Sequence, residues 1–149
     1  MSESALPVYF RLFNEIGIIE QLSRALFEAR LPPGFVLPQF SVLNHLVRVK
    51  DGQTPMALAR AFQVPKTSMA HSLSVLESAA LIEFRPNPKD GRSKLVYITE
   101  AGRTFRQSAI DALEPDIARI AATIPPERAA ELLPGLEALR KFLDTDRDN

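Results

Sequence analysis

The chain has 149 residues, of which 46% are hydrophobic, 24% charged and 7% aromatic; 18 basic side chains balance 18 acidic ones, and there is no cysteine. A chain of this size can bury about two-thirds of its unfolded surface, and the composition excludes disordered and collagen-like polymers. Without cysteine there is no disulfide framework, thiolate metal site or thiol redox chemistry.

The N-terminal stretch Met1 to Pro7 is acidic rather than basic ahead of its apolar residues, so it lacks the n-region of a secretory signal. The longest uncharged run, Leu31 to Val47, is interrupted by Pro32, Pro33 and Pro38 and carries polar Gln39, Asn44 and His45, which argues against a membrane span. A cytoplasmic protein without a membrane partner is expected.

From Val8 to Arg30, apolar residues recur at helical spacing until the breaker Leu31-Pro32-Pro33-Gly34. Pro38 suits the first turn of a second helix with Phe40, Leu43, Leu46 and Val47 on one face, ending near Gly52. Thr54 and Pro55 are a natural cap and first residue for a short third helix. A fourth pattern runs from Lys66 to about Ala80, with Met69, Leu73, Leu76 and Ala80 on one side. Its other face, Thr67, Ala70, His71 and Ser74, is short and polar, as suits a helix that enters a groove.

Residues 81–85 and 95–98 are short and β-prone, and they flank a segment rich in turn formers and positive charge. A hairpin with a basic tip follows, with Pro86 and Pro88 outside the ladder and Asp90-Gly91 supplying a positive φ. Thr99 then caps a fifth helix with Glu100 in its first turn. Pro115 and Pro134 imply kinks or breaks further on, Pro125-Pro126 opens a sixth helix, and residues 144–149 are too polar to pack.

The neutral total hides an asymmetry. Residues 1–59 carry five basic and five acidic groups, residues 60–106 eight and four, and residues 107–149 five and nine, giving 0, +4 and −4. The middle third is the face for a polyanion.

Catalytic constellations are thin. His45 and His71 stand in no metal-binding spacing, and the six glycines are isolated, so no phosphate loop or nucleophile elbow is present. The expectation is a non-enzyme with no cofactor and no metal.

The order of helix, helix, short helix, helix, hairpin is that of a winged helix-turn-helix: a mainly α fold with a small β-hairpin wing. In that frame Lys66, Thr67 and Ser68 meet phosphates and base edges at a helix N-terminus, and His71 reaches a base acceptor with a ring N–H. Arg92 suits a narrow minor groove, while Arg85, Lys89 and Lys94 suit flanking phosphates. Asp90 is expected to hold a wing arginine by a bidentate pair. Thr54 completes the candidate DNA-binding set.

The segments Gln53 to Ala59, Thr67 to Glu77 and Arg85 to Gly102 resemble the MarR family of bacterial regulators, most specifically in Asp90-Gly91-Arg92-Ser93-Lys94-Leu95-Val96 followed by Thr99-Glu100-Ala101-Gly102. The resemblance implies one domain over 1–149, with dimerisation helices at 1–34 and 100–143, a winged lobe at 36–99 and a disordered tail at 144–149. It implies a homodimeric, cytoplasmic DNA-binding repressor or activator, with a small, often aromatic or phenolic, ligand between the dimer helices and the DNA-binding lobe. A dimeric helix-turn-helix reads a pseudo-palindromic double-stranded operator with half-sites ~34–36 Å apart, and repression is the expected sign. Tyr9, Phe10, Phe13 and Phe40 are the candidate effector contacts. Departures include His71 where an arginine is common, Ala80 where the recognition helix usually ends in glycine, Gly91 for a frequent arginine and Tyr97 for a basic residue. The other class compatible with the residues is a winged helix that binds protein instead of DNA.

Overall fold

The computed structural model describes residues 4–147. It contains α1 (Ala5–Glu28), α2 (Leu37–Arg48), α3 (Pro55–Phe62), α4 (Lys66–Ser78), β1 (Ile82–Pro86), β2 (Lys94–Ile98), α5 (Glu100–Asp111), α6 (Glu114–Thr123) and α7 (Pro126–Asp146). The chain forms two compact units, one ending at Ala112 and the other beginning at Leu113.

In the first unit, the apolar stripes anticipated on α2, α3 and α4 meet. Val42, Leu43 and Leu46 pack with Leu58 and Ala59, with Met69, Leu73 and Leu76, and with Leu81, Ile82, Val96 and Ile98 from the hairpin. Leu43, Leu58 and Leu76 are fully buried, so each holds the lobe together with about 1.5–3 kcal/mol of apolar burial. A smaller cluster of Leu31, Phe40 and Ala109, packed by Phe27, Phe35, Leu37 and Ile110, joins the end of α1 to α2 and α5.

Local chemistry sets the helix ends. The α2 N-terminus is closed by Gln39, whose Oε1 accepts the Val36 N–H at 2.9 Å, and by Glu28, which accepts the Leu37 N–H at 2.8 Å. Thr54 caps α3 as expected, accepting the Ala57 N–H at 3.1 Å. At the end of α4, Leu81 N–H donates to Leu76 O and Ala80 N–H to Glu77 O, both at 2.9 Å. This paired closure puts Ala80 at φ +60, so the left-handed cap forms with alanine in the glycine position. Ala80 is therefore exposed beyond the helix rather than on its buried side.

The hairpin pairs antiparallel from Ile82 with Ile98 to Pro86 with Lys94. Pro86 thus belongs to the ladder, at its last rung, where a missing donor is tolerated. Gln53 adds a single bridge on the other side of β2, its carbonyl accepting the Val96 N–H at 2.8 Å. Gly91 does not adopt the positive φ expected of it.

Thr99 joins the wing to α5: its hydroxyl accepts the Gly102 N–H at 3.0 Å and donates to Ala80 O at 2.7 Å. A Cβ on Gly102 would stand 2.1 Å from the Leu81 carbonyl oxygen. The spacing of Thr99 and Gly102 therefore records a close passage of α5 over the end of α4.

In the second unit, Pro115 falls in the first turn of α6, so the expected interruption is a complete break after α5. Pro134 lies inside α7, which continues through it, lacking the backbone donor that would reach one turn back. Residues 144–146 extend α7 where a disordered tail was expected; charged side chains are tolerated on a solvated helix. Residues 148 and 149 lie outside the described residues.

Candidate nucleic-acid interface

The turn between α3 and α4 closes on Gln63 at φ +52, with Val64 N–H donating to Ala59 O at 3.0 Å. This reversal presents the start of α4 to solvent. No side chain caps α4, so the first-turn amides are available, as at any helix N-terminus that receives a phosphate. Lys66, Thr67, Ser68, Ala70, His71 and Ser74 are all exposed, while Met69, Ser72, Leu73 and Leu76 face inward.

The wing tip is held by its own side chains. Asn87 Oδ1 accepts the Lys89 N–H and Asp90 Oδ1 accepts the Arg92 N–H, both at 3.0 Å. Asn87 Nδ2 donates to Ser93 Oγ at 3.0 Å, and Ser93 N–H donates to Asp90 O at 3.2 Å. Two successive side-chain-closed turns thus replace the glycine turn, because Asn and Asp can accept from a backbone N–H two residues on. Asp90 fixes the Arg92 backbone rather than pairing with a wing guanidinium. Among the described residues, Lys66, Lys89, Arg92 and Lys94 make no salt bridge, which leaves these four cations available to a partner.

Arg85 is placed differently. Its Nε donates to Glu83 Oε1 at 3.0 Å, and its guanidinium lies over the Tyr97 ring, 4.0 Å from the centroid. The hydrogen bond to Glu83 is the main cause that pushes its pKa up, so the group is permanently charged but already engaged. Tyr97 in turn leans on the backbone at Gly52, φ +70, where a Cβ would come within 2.7 Å of the ring.

Beneath this stack, Asp51 Oδ1 accepts the N–H groups of Gly52 at 3.1 Å and Ile98 at 3.0 Å, and Oδ2 lies 3.8 Å from Arg103 of α5. Asp51, Glu83, Asn87 and Tyr97 were not identified from the sequence as parts of the site. Only Asn87, among proline and glycine neighbours, carries a local signal as a turn former.

These elements enclose a cleft of about 670 Å³ between α3, α4 and the wing. Thr54, Lys66, Asp90, Arg92 and Lys94 line it, so five of the ten expected residues converge there. Lys89 lines a smaller hollow of about 350 Å³ on the wing together with Lys50 and Gln53. Thr67, Ser68 and His71 line a separate cavity of about 640 Å³ with Arg24 of α1 and the start of α2. The four aromatic candidates for an effector do not meet in that cavity: Phe40 is buried against Phe27 at a centroid separation of 4.5 Å, and Tyr9, Phe10 and Phe13 are exposed on α1.

No group of three or more metal-binding side chains occurs among the described residues, and no described helix is long and apolar enough to cross a membrane. A sequence model described as the MarR family matches residues 34–93. An uncharacterized HTH-type transcriptional regulator of Mycobacterium bovis is 30% identical over 115 residues, 76% of this chain and 80% of that protein. The transcriptional regulator BldR from Sulfolobus solfataricus has the same fold, with a TM-score of 0.77 at 23% identity over 95% of this chain and 99% of its own. A mutant MarR from E. coli, complexed with operator DNA, superposes with a TM-score of 0.69 at 24% identity over 87% of this chain and 93% of its own. The chain therefore belongs to the MarR family of winged helix-turn-helix, DNA-binding transcriptional regulators and is not an enzyme.

Proposed function

We propose that this chain is a cytoplasmic, homodimeric repressor that reads a pseudo-palindromic operator. In this reading α4 enters the major groove, and Arg92 enters the neighbouring minor groove while Lys89 and Lys94 meet phosphates. The observation that carries it is the convergence of Lys66, Arg92 and Lys94, without ionic partners among the described residues, around one cleft beside the exposed start of α4. The operator complex of the similar E. coli protein supports the same use of the fold.

Apolar surface supports the dimer. Among the described residues α1 exposes Leu6, Val8, Tyr9, Phe10, Leu12, Phe13, Ile18, Ile19 and Leu22 and buries none, a pattern that suits a helix packing on a partner chain. For effector control, the cavity beside α4 joins apolar Val36, Leu37, Phe62 and Met69 to polar Arg24, Thr67, Ser68 and His71. A small ligand there would touch the side chains that are offered to DNA, which couples its binding to that of the operator.

The test is fluorescence anisotropy with a duplex from the region upstream of the protein's own coding sequence, across a salt series. Arg92→Ala is expected to weaken binding on all sequences and to reduce the slope of log K against log salt by ~0.9; His71→Ala is expected to relax sequence preference. Wild-type protein without salt-dependent binding to any duplex would return the chain to the protein-interaction reading.

A further inference from the structure

Of the exposed side chains between Lys66 and Ser74 on α4, only Ala70 carries no polar atom. It stands one turn beyond Lys66 and lines the same cleft as Arg92 and Lys94, and the apolar character continues there in Met56 and Phe84. Met56 is 60% exposed, whereas Phe84 is half-buried. The cleft therefore brings Lys66, Arg92 and Lys94, with Asp90 among them, around an apolar patch of Ala70, Met56 and Phe84, to which α4 contributes Ala70.

A base edge pressed against such a patch gives up water without gaining a partner, which is unfavourable for an amino or carbonyl group. One group in the major groove benefits instead: the C5-methyl of thymine. We infer that Ala70 is a specificity-determining residue, and that each half-site carries a thymine whose methyl group packs on its Cβ. The inference rests on the reading of α4 as the base-reading helix. It assigns to Ala70 a preference for thymine over cytosine, whose C5 bears only hydrogen, and leaves the polar readout to Lys66, Thr67 and His71.

The experiment starts with duplexes selected by the wild-type protein from a random-sequence pool. Each thymine is then replaced singly by uracil, which removes the methyl and keeps every hydrogen-bonding group. Loss of one buried methyl is expected to weaken wild-type binding about three- to fivefold at one symmetry-related position in each half-site. Ala70→Gly should bind the thymine and uracil forms alike at that position, with its helical content checked by circular dichroism. The wild-type uracil scan needs no variant, so the outcome does not depend on how well the glycine is accommodated. Uniform indifference to uracil, or the same loss in Ala70→Gly as in wild type, overturns the assignment to Ala70 while DNA binding stands. Failure to select any duplex overturns the base-reading role of α4 itself.

Discussion

The helix-turn-helix and α1 meet solvent in opposite ways. In α2, a helix of 12 residues, five are buried; α1 has 24 residues and buries none, although its sequence is rich in Leu, Ile and Phe. The first pattern closes on the protein's own core, and the second offers its apolar stripe outward. Hydrophobic periodicity alone does not separate the two, because an amphipathic helix looks the same whether its partner is in the same chain or another. The difference teaches that the apolar residues of α2 are covered within the chain, whereas those of α1 are largely left open to solvent, as the proposed dimer requires.

Two substitutions put this contrast to work. Leu76→Ala removes a fully buried side chain at the meeting of α4 with the hairpin; a loss of about 2–5 kcal/mol is expected, measured by urea unfolding at fixed protein concentration. Leu22→Asp changes a side chain that is 67% exposed. It is expected to leave far-ultraviolet circular dichroism unchanged and to weaken self-association by about 2 kcal/mol, the scale of an interface hot spot, in sedimentation equilibrium. A Leu22→Asp protein that associates as tightly as wild type would mean that α1 is not the dimer face.

A second contrast lies inside the interface. Arg92 is exposed at the wing tip, where the proposed function has it meet DNA, whereas Asn87 holds the loop that carries it, through hydrogen bonds with Lys89 N–H and Ser93 Oγ. Asn87→Ala removes no charge. Operator affinity should fall by about 0.5–1.5 kcal/mol as the loop loosens, with an unchanged salt slope, unlike Arg92→Ala. A shallower slope in Asn87→Ala would show that the wing is contacting fewer phosphates rather than holding them less firmly.

The parts of the site that were legible in the sequence are those whose cause is local. Thr54-Pro55 and Thr99-Glu100 announce helix starts because capping involves residues within one turn, and both caps are present. The basic tip is visible because Lys89, Arg92 and Lys94 fall within one short segment between the strands. Asp90-Gly91 signals a two-residue hairpin turn with a positive φ, whereas the loop of residues 87–93 is long enough to close by two side-chain turns, and the second of these engages the Asp90 carboxylate with the Arg92 N–H instead of a guanidinium. Glu83 and Arg85 share a strand face at period two, but the Tyr97 shelf requires the register that sets Tyr97 opposite Glu83. Asp51 bonds to Ile98, 47 residues away, and no local pattern carries that link. The exposed aromatics on α1 were read as effector contacts because helical spacing does not say which cavity, if any, a face meets.

The smallest effect concerns Ala80, at the joint between the recognition helix and the wing. Its φ of +60 costs an alanine about 1–2 kcal/mol relative to the right-handed region, and glycine avoids that cost. Glycine also gives the unfolded chain more freedom, an opposing contribution of about 0.4–1 kcal/mol. Ala80→Gly is therefore expected to stabilise the protein by about 0.5–1 kcal/mol, read from the midpoint of urea unfolding with an unchanged slope. Operator affinity should not change, because the carbonyl that receives the Thr99 hydroxyl at 2.7 Å and the two amides that close α4 are backbone groups retained by glycine. A stabilised protein with altered affinity would instead mean that the alanine at this joint restrains the angle between recognition helix and wing, and that its strain contributes to how the two are presented to DNA.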